Sequence, residues 1–174
     1  MKFPFSPRRS FFLGFLGTVG LMATAFYFQF QEGLEPCPLC ISQRLGVVLV
    51  GLVMLAGSIH ATRKSRVRIY ALLGGLAAAL GSAISLRHLY IQHLPEDKVP
   101  ACGPGLSYMF QYFPLGDTLK AMVTGTGDCA HVDWTFLGFS MPFWVLLAFL
   151  GLGLWSVAQW WNLPTASKGR QSAP

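Results

Sequence analysis

Charge is what this sequence has least of. Only 11% of its 174 residues are Asp, Glu, Lys or Arg, against 53% hydrophobic residues and a mean hydropathy of +0.49. Soluble domains carry roughly 25% charged residues, so a water-solvated globule is excluded. Acids are scarcer still, 7 in all, leaving a formal net charge of +6. That excess does not describe a nucleic-acid-binding face, because the cations fall in short clusters flanking apolar runs. A cleavable secretory signal is also not expected. Lys2, Arg8 and Arg9 precede an apolar run too long for an h-region, and "TAFYFQF" at its end offers no small-x-small site, so the run reads as a retained first helix. There is no internal repeat, and no low-complexity segment beyond the polar tail Thr165 to Pro174.

What is there is apolar length. Four runs, about Ser10 to Phe30, Ile41 to Ile59, Ile69 to Leu89 and Phe139 to Trp161, match the roughly 20 helical residues that cross a bilayer core of about 30 Å. The first and fourth carry no charge. The second holds Arg44 near its start, and the third holds Arg87 and His88 near its end, where a side chain can snorkel or line a site. The expected fold is an all-α membrane protein, one domain over residues 1–174: a four-transmembrane-helix bundle with two outer loops, about 31–40 and 92–138.

Charge placement orients it. Lys2, Arg8, Arg9, Arg63, Lys64, Arg66, Arg68, Lys168 and Arg170 all fall in segments 1–9, 60–68 and 162–174. Glu32, Glu35, Glu96, Asp97, Asp117, Asp128 and Asp133 all fall in the other two. The positive-inside rule places the basic segments and both termini in the cytoplasm and the two loops in the periplasm or an equivalent oxidising space. The second loop is too long for a simple connection and carries Pro95, Pro100, Pro104 and Pro114. Within it "LSYMFQYF" is too short to span. Leu106, Met109, Phe110 and Phe113 recur at helical spacing, so this stretch either lies flat in the headgroup region or packs on the helix ends.

Every cysteine lies in those outer loops: Cys37 and Cys40 in the first, Cys102 and Cys129 in the second. An even count in an oxidising compartment fits two pairs. The C-x-x-C of "EPCPLCISQR" closes only a very small loop, so a disulfide there stabilises little and suits cycling between oxidised and reduced forms. Cys40 stands at the start of the second helix, where free N–H groups and the helix dipole favour an anion. Arg44, four residues on, shares its face; it reads either as an interfacial anchor or as a cation beside a thiolate and a reduced electron acceptor. Cys102 and Cys129 would close a long loop and read as structural when taken alone, but beside a C-x-x-C a relay by thiol exchange is the better reading. They form no second C-x-x-C knuckle, so no metal ligand set is assigned.

At the outer end of the third helix His88 and Gln92 share a helical face and read either as interfacial residues or as a polar pair that meets a carbonyl or hydroxyl of a membrane-dissolved ligand. His93 and His131 carry no spacing that singles them out. The tryptophans Trp134, Trp144, Trp155, Trp160 and Trp161 read as interfacial belt and lipid-facing residues.

Taken together, "PCPLCISQR", "RHLYIQH" and "GDCAHVDWTFLGFSMPFW" resemble the disulfide bond formation protein B (DsbB) family of bacterial inner-membrane quinone reductases, over essentially the whole chain. The resemblance implies a four-helix bundle that reoxidises a periplasmic thioredoxin-fold dithiol oxidase, DsbA-like, and passes the electrons to ubiquinone or menaquinone. It implies that Cys102 forms the mixed disulfide with that partner, that Cys129 then joins Cys37, and that Cys40 faces the quinone. Arg44, His88 and Gln92 fall on the family's quinone-site positions. Gln43 stands where some relatives have an acidic residue, which leaves the proton route open, and the stretch between Cys102 and Cys129 varies in the family.

Overall fold

The computed structural model describes residues 6–103 and 106–160. Lys2, Trp161 and the tail with Lys168 and Arg170 lie outside the described residues, as does Pro104. Among the described residues four helices are long and apolar enough to cross a membrane: α1 (Pro7–Gln31), α2 (Pro38–His60), α3 (Lys64–Gln92) and, after the short α4 (Leu106–Tyr112) and α5 (Leu115–Thr124), α6 (Met141–Ala158). At about 1.5 Å per residue even the 18-residue α6 reaches about 27 Å. Prolines stand in the first turns of α1, α2 and α6, where the missing N–H has no partner to lose.

Helix α2 packs against α1 and α3, and α3 packs along α6. Small residues allow these approaches. A Cβ on Gly81 of α3 would lie 2.2 Å from the Phe149 ring, which also reaches Gly46 of α2. Phe149 is fully buried and joins Phe11, Val50, Met54 and Val67 in the core. Near the start of α1 the indole of Trp155 donates to the Ser10 carbonyl (3.1 Å), and Arg8 Nε donates to the Ser58 carbonyl (2.9 Å). Leucines such as Leu72, Leu76, Leu80 and Leu154 are exposed on the outer faces of the spans, where lipid rather than water is the matching solvent. The chain is therefore an all-α, multi-pass bundle, as its sequence led us to expect.

The long outer loop is ordered by two helices rather than one. α4 covers most of "LSYMFQYF", and α5, which its sequence did not announce, packs on α2. Ser42 Oγ donates to the Met122 carbonyl (2.6 Å) and Arg87 Nε to the Thr124 carbonyl (3.1 Å), so the end of α5 is fastened to both α2 and α3. A 3₁₀ turn, Gly127–Ala130, follows, then a hairpin of β1 (Thr135–Phe136) and β2 (Phe139–Ser140). Its two central residues, Leu137 and Gly138, both have positive φ, as a tight hairpin turn demands.

Candidate functional site

The C-x-x-C straddles the start of α2. Cys37 is its N-cap, in extended conformation, and its Sγ accepts from the Cys40 N–H at 3.4 Å. Pro38 fixes the first helical residue, which turns Cys40 back over Cys37 and brings the two sulfurs to 3.2 Å. The 3₁₀ turn carries Cys129 over this pair. It is held there by a small buried cluster of Leu39, Ile91 and Cys129 itself. The donor atoms of Cys37, Cys129 and His88 all lie within 4.8 Å of one another.

Burial grades the four thiols. Cys129 is buried, Cys37 and Cys40 are half-buried and Cys102 is exposed. Cys102 lies against the 3₁₀ turn: Gly127 N–H donates to the Ala101 carbonyl at 3.1 Å, and a Cβ on Gly127 would meet the Pro100 oxygen at 2.4 Å and Cys102 Sγ at 3.0 Å. Only glycine admits that approach. The contact with Cys129 favours the Cys37 thiolate, but the Cys40 sulfur and burial outweigh it and push the Cys37 thiol up to about 12. The hydrogen bond to Cys37, followed by burial, raises the Cys129 thiol well above its ordinary value.

Below the sulfurs, between the helices, lies a mostly apolar cavity of about 370 Å³. Leu21, Met22, Ala25 and Phe28 of α1, Val47 of α2 and Val145 and Ala148 of α6 form its greasy walls. Cys37, Cys40, Gln43, Arg44, His88 and Gln92 supply its polar atoms, and Glu35, Asp128, His131 and Asp133 also line it. Arg44 donates from Nη1 to Gln29 Oε1 and from Nη2 to the Ala25 carbonyl (3.1 Å), with the guanidinium 5.6 Å from the Phe26 ring centroid. It is thus held by α1 through neutral acceptors, with two of its five donors engaged. Gln92 Oε1 accepts from Ser140 Oγ at 2.7 Å, which ties the end of α3 to the start of α6. His88 is 2% exposed, with Nε2 3.8 Å from Cys37 Sγ and Nδ1 3.4 Å from Gln43 Nε2.

The chain matches the family model described as "Disulfide bond formation protein DsbB" over residues 7–159. It belongs to the DsbB family. Among its relatives, "Disulfide bond formation protein B" of Methylococcus capsulatus is 63% identical over 157 residues, 90% of this chain and 96% of the relative. The proteins of the same name from Hahella chejuensis and Nitrosococcus oceani are 50% and 48% identical, over 87% and 88% of this chain and 92% and 91% of their own lengths.

In this DsbB-family chain the structure gathers Cys37, Cys40, Arg44, His88 and Gln92 around one cavity, sets Cys129 above it, and leaves Cys102 at the surface beside Gly127. Sequence reasoning missed the residues that hold these in place. Gln43 was singled out only as a departure from relatives, although its position three residues after Cys40 puts it on the same helical face. Gln29 was a polar residue inside an apolar run, which was the available signal. Trp134 and Trp144, read as belt residues, also line the cavity. Trp134 packs 4.9 Å from Phe28. As for metals, Cys37, His88 and Cys129 are a chemically suitable donor set, though thiol exchange requires the same closeness of sulfurs.

Proposed function

We propose that this protein is a thiol:quinone oxidoreductase of the bacterial inner membrane, with both termini cytoplasmic. It reoxidises a periplasmic, thioredoxin-fold dithiol oxidase of the DsbA type and passes the electrons through two cysteine pairs to ubiquinone or menaquinone, so sustaining protein disulfide formation. One observation carries this reading: the sulfurs form a series from exposed Cys102 through buried Cys129 and half-buried Cys37 to Cys40 on the wall of a lipid-compatible cavity.

Each step exchanges one S–S bond for another. A partner thiolate attacks Cys102 of the Cys102–Cys129 disulfide, and the electron pair leaves on Cys129. The Cys129 thiolate attacks Cys37 of the Cys37–Cys40 disulfide, and the pair leaves on Cys40, at the start of α2 and one turn from Arg44. The fit of a quinone rests on the donor set, since Arg44, His88 and the Gln92 amide are among the polar groups that line a mostly apolar cavity. The quinone supplies a two-electron, two-proton acceptor soluble in lipid.

The experiment is reoxidation of a reduced DsbA-type dithiol by membranes or purified protein, with and without added quinone. Oxidation should require quinone and vanish in Cys40→Ser; activity that survived Cys40→Ser would overturn the scheme. Mixed with the oxidised partner, Cys129→Ser should capture it, the free Cys102 thiolate opening the partner's disulfide to form a mixed disulfide. A second reading, a metal site on Cys37, His88 and Cys129, predicts instead free thiols and bound zinc after purification, which redox titration and metal analysis separate.

A further inference from the structure

Gln43 lies in the second turn of α2 and is 4% exposed. Its Nε2 approaches His88 Nδ1 at 3.4 Å. An amide nitrogen only donates, so Nδ1 accepts, and the proton of a neutral imidazole resides on Nε2. Nε2 faces Cys37 Sγ at 3.8 Å, with the main chain of Cys129 also beside the ring. Turning the amide oxygen to the ring would reverse this and set the Nε2 lone pair against a sulfur that must become anionic during exchange.

We propose that Gln43 is a positioning residue: it fixes His88 as the Nε2–H tautomer, so that the ring donates to Cys37 Sγ whenever that sulfur departs as a thiolate. The proposal rests on the exchange sequence given above and concerns the step that resets it, after the partner's second thiolate has attacked the mixed disulfide and released Cys102 as a thiolate. There the Cys102 thiolate attacks Cys129 of the Cys129–Cys37 disulfide, the Cys102–Cys129 bond forms, the Cys129–Cys37 bond breaks, and the electron pair leaves on Cys37. No net oxidation occurs and no further reactant is needed. A donor aimed at the leaving sulfur in a buried site is a charge-assisted hydrogen bond, stronger than a neutral one.

Two measurements test this on the full chain in detergent. In ¹⁵N-histidine-labelled protein, the His88 ring, assigned by its loss in His88→Asn, should show Nδ1 as the unprotonated nitrogen. Gln43→Glu, which only accepts once ionised, should at a pH where its carboxylate is ionised move the proton to Nδ1. A wild-type ring protonated on Nδ1 would overturn the proposal, as would a Gln43→Glu ring unchanged from wild type. In a Cys40→Ser background, interconversion of the Cys37–Cys129 and Cys102–Cys129 isomers is followed after a pH jump by acid quenching and thiol alkylation. Gln43→Leu should slow it at least about tenfold, the scale of a lost hydrogen bond to a charged group, and should add nothing once His88 is Asn. Undiminished exchange in Gln43→Leu, or full additivity with His88→Asn, would refute it. Neither measurement contains quinone or partner, so a failure of the acceptor assignment leaves their outcome untouched.

Discussion

Gly127→Ala isolates the seating of Cys102. The added methyl would sit 2.4 Å from the Pro100 carbonyl oxygen, 2.9 Å from Cys102 N and 3.0 Å from Cys102 Sγ. Two of these three atoms are backbone, which cannot swing aside as a side chain tip can. The strand of chain from Pro100 to Cys102 must back away, and the 3.1 Å hydrogen bond from Gly127 N–H to Ala101 lengthens with it. Overpacking of this kind costs about 1–3 kcal/mol. The cost falls hardest on the proposed Cys102–Cys129 disulfide, which needs the two segments closest together. With about 1.4 kcal/mol per 30 mV for a two-electron couple, the pair should become more oxidising by about 20 to 60 mV. Equilibration against glutathione buffers, read by alkylation of the loop thiols, measures this directly. Gly116→Ala in α5 is the control, since a Cβ there meets nothing within 4 Å. An unchanged potential in Gly127→Ala, or an equal shift in Gly116→Ala, would refute the claim that close approach at residue 127 seats Cys102.

Other outcomes follow from the same geometry. Arg44→Ala should raise KM for quinone about 10- to 100-fold, the worth of a hydrogen bond to a charged donor, and Arg44→Lys should rescue it only in part, because an ammonium cannot reproduce the guanidinium fork; steady-state kinetics over a quinone series decides. Phe149→Ala should cost about 3–5 kcal/mol in detergent unfolding. Gly81→Ala, which would place a Cβ 2.2 Å from that ring, should be far less damaging in the Phe149→Ala background than alone. The Cys37 thiol is raised from 9.0 to about 12 in the folded protein, so the native state holds this proton more tightly than the unfolded chain does. The stability it contributes is whole below about pH 9 and fades as pH rises toward 12. Thermal unfolding of the fully reduced protein should therefore fall over that range more steeply than that of the protein with both cysteine pairs oxidised.

The spans were legible because apolar length and charge placement are long-range averages that no single residue can disguise. The C-x-x-C was legible because its spacing sets its chemistry, and Arg44 because a cation in an apolar run demands a reason. The helix α5 was not. Its fastening to α2 and α3 runs through carbonyls of Met122 and Thr124, which any residue would present equally well. Gln43 and Gln29 were hidden differently, since an amide draws its meaning from the atom it meets, His88 in one case and Arg44 in the other. The relation of Cys129 to Cys37 is a tertiary fact: a 3₁₀ turn delivers it across a distance that spacing does not encode.

The attachment of Arg44 to α1 bears on biogenesis. Helix α1, which carries Arg8 and Arg9 in its first turn, also supplies, through Ala25 and Gln29, the acceptors that hold Arg44 at the cavity. A membrane anchor is ordinarily exchangeable for any apolar helix of the right length. This one is not: even a foreign first span that kept Ser10 and Phe11 for the core would leave Arg44 without its acceptors. Swaps of the first helix would thus yield proteins that are correctly inserted and catalytically impaired, a separation of assembly from activity within one continuous element.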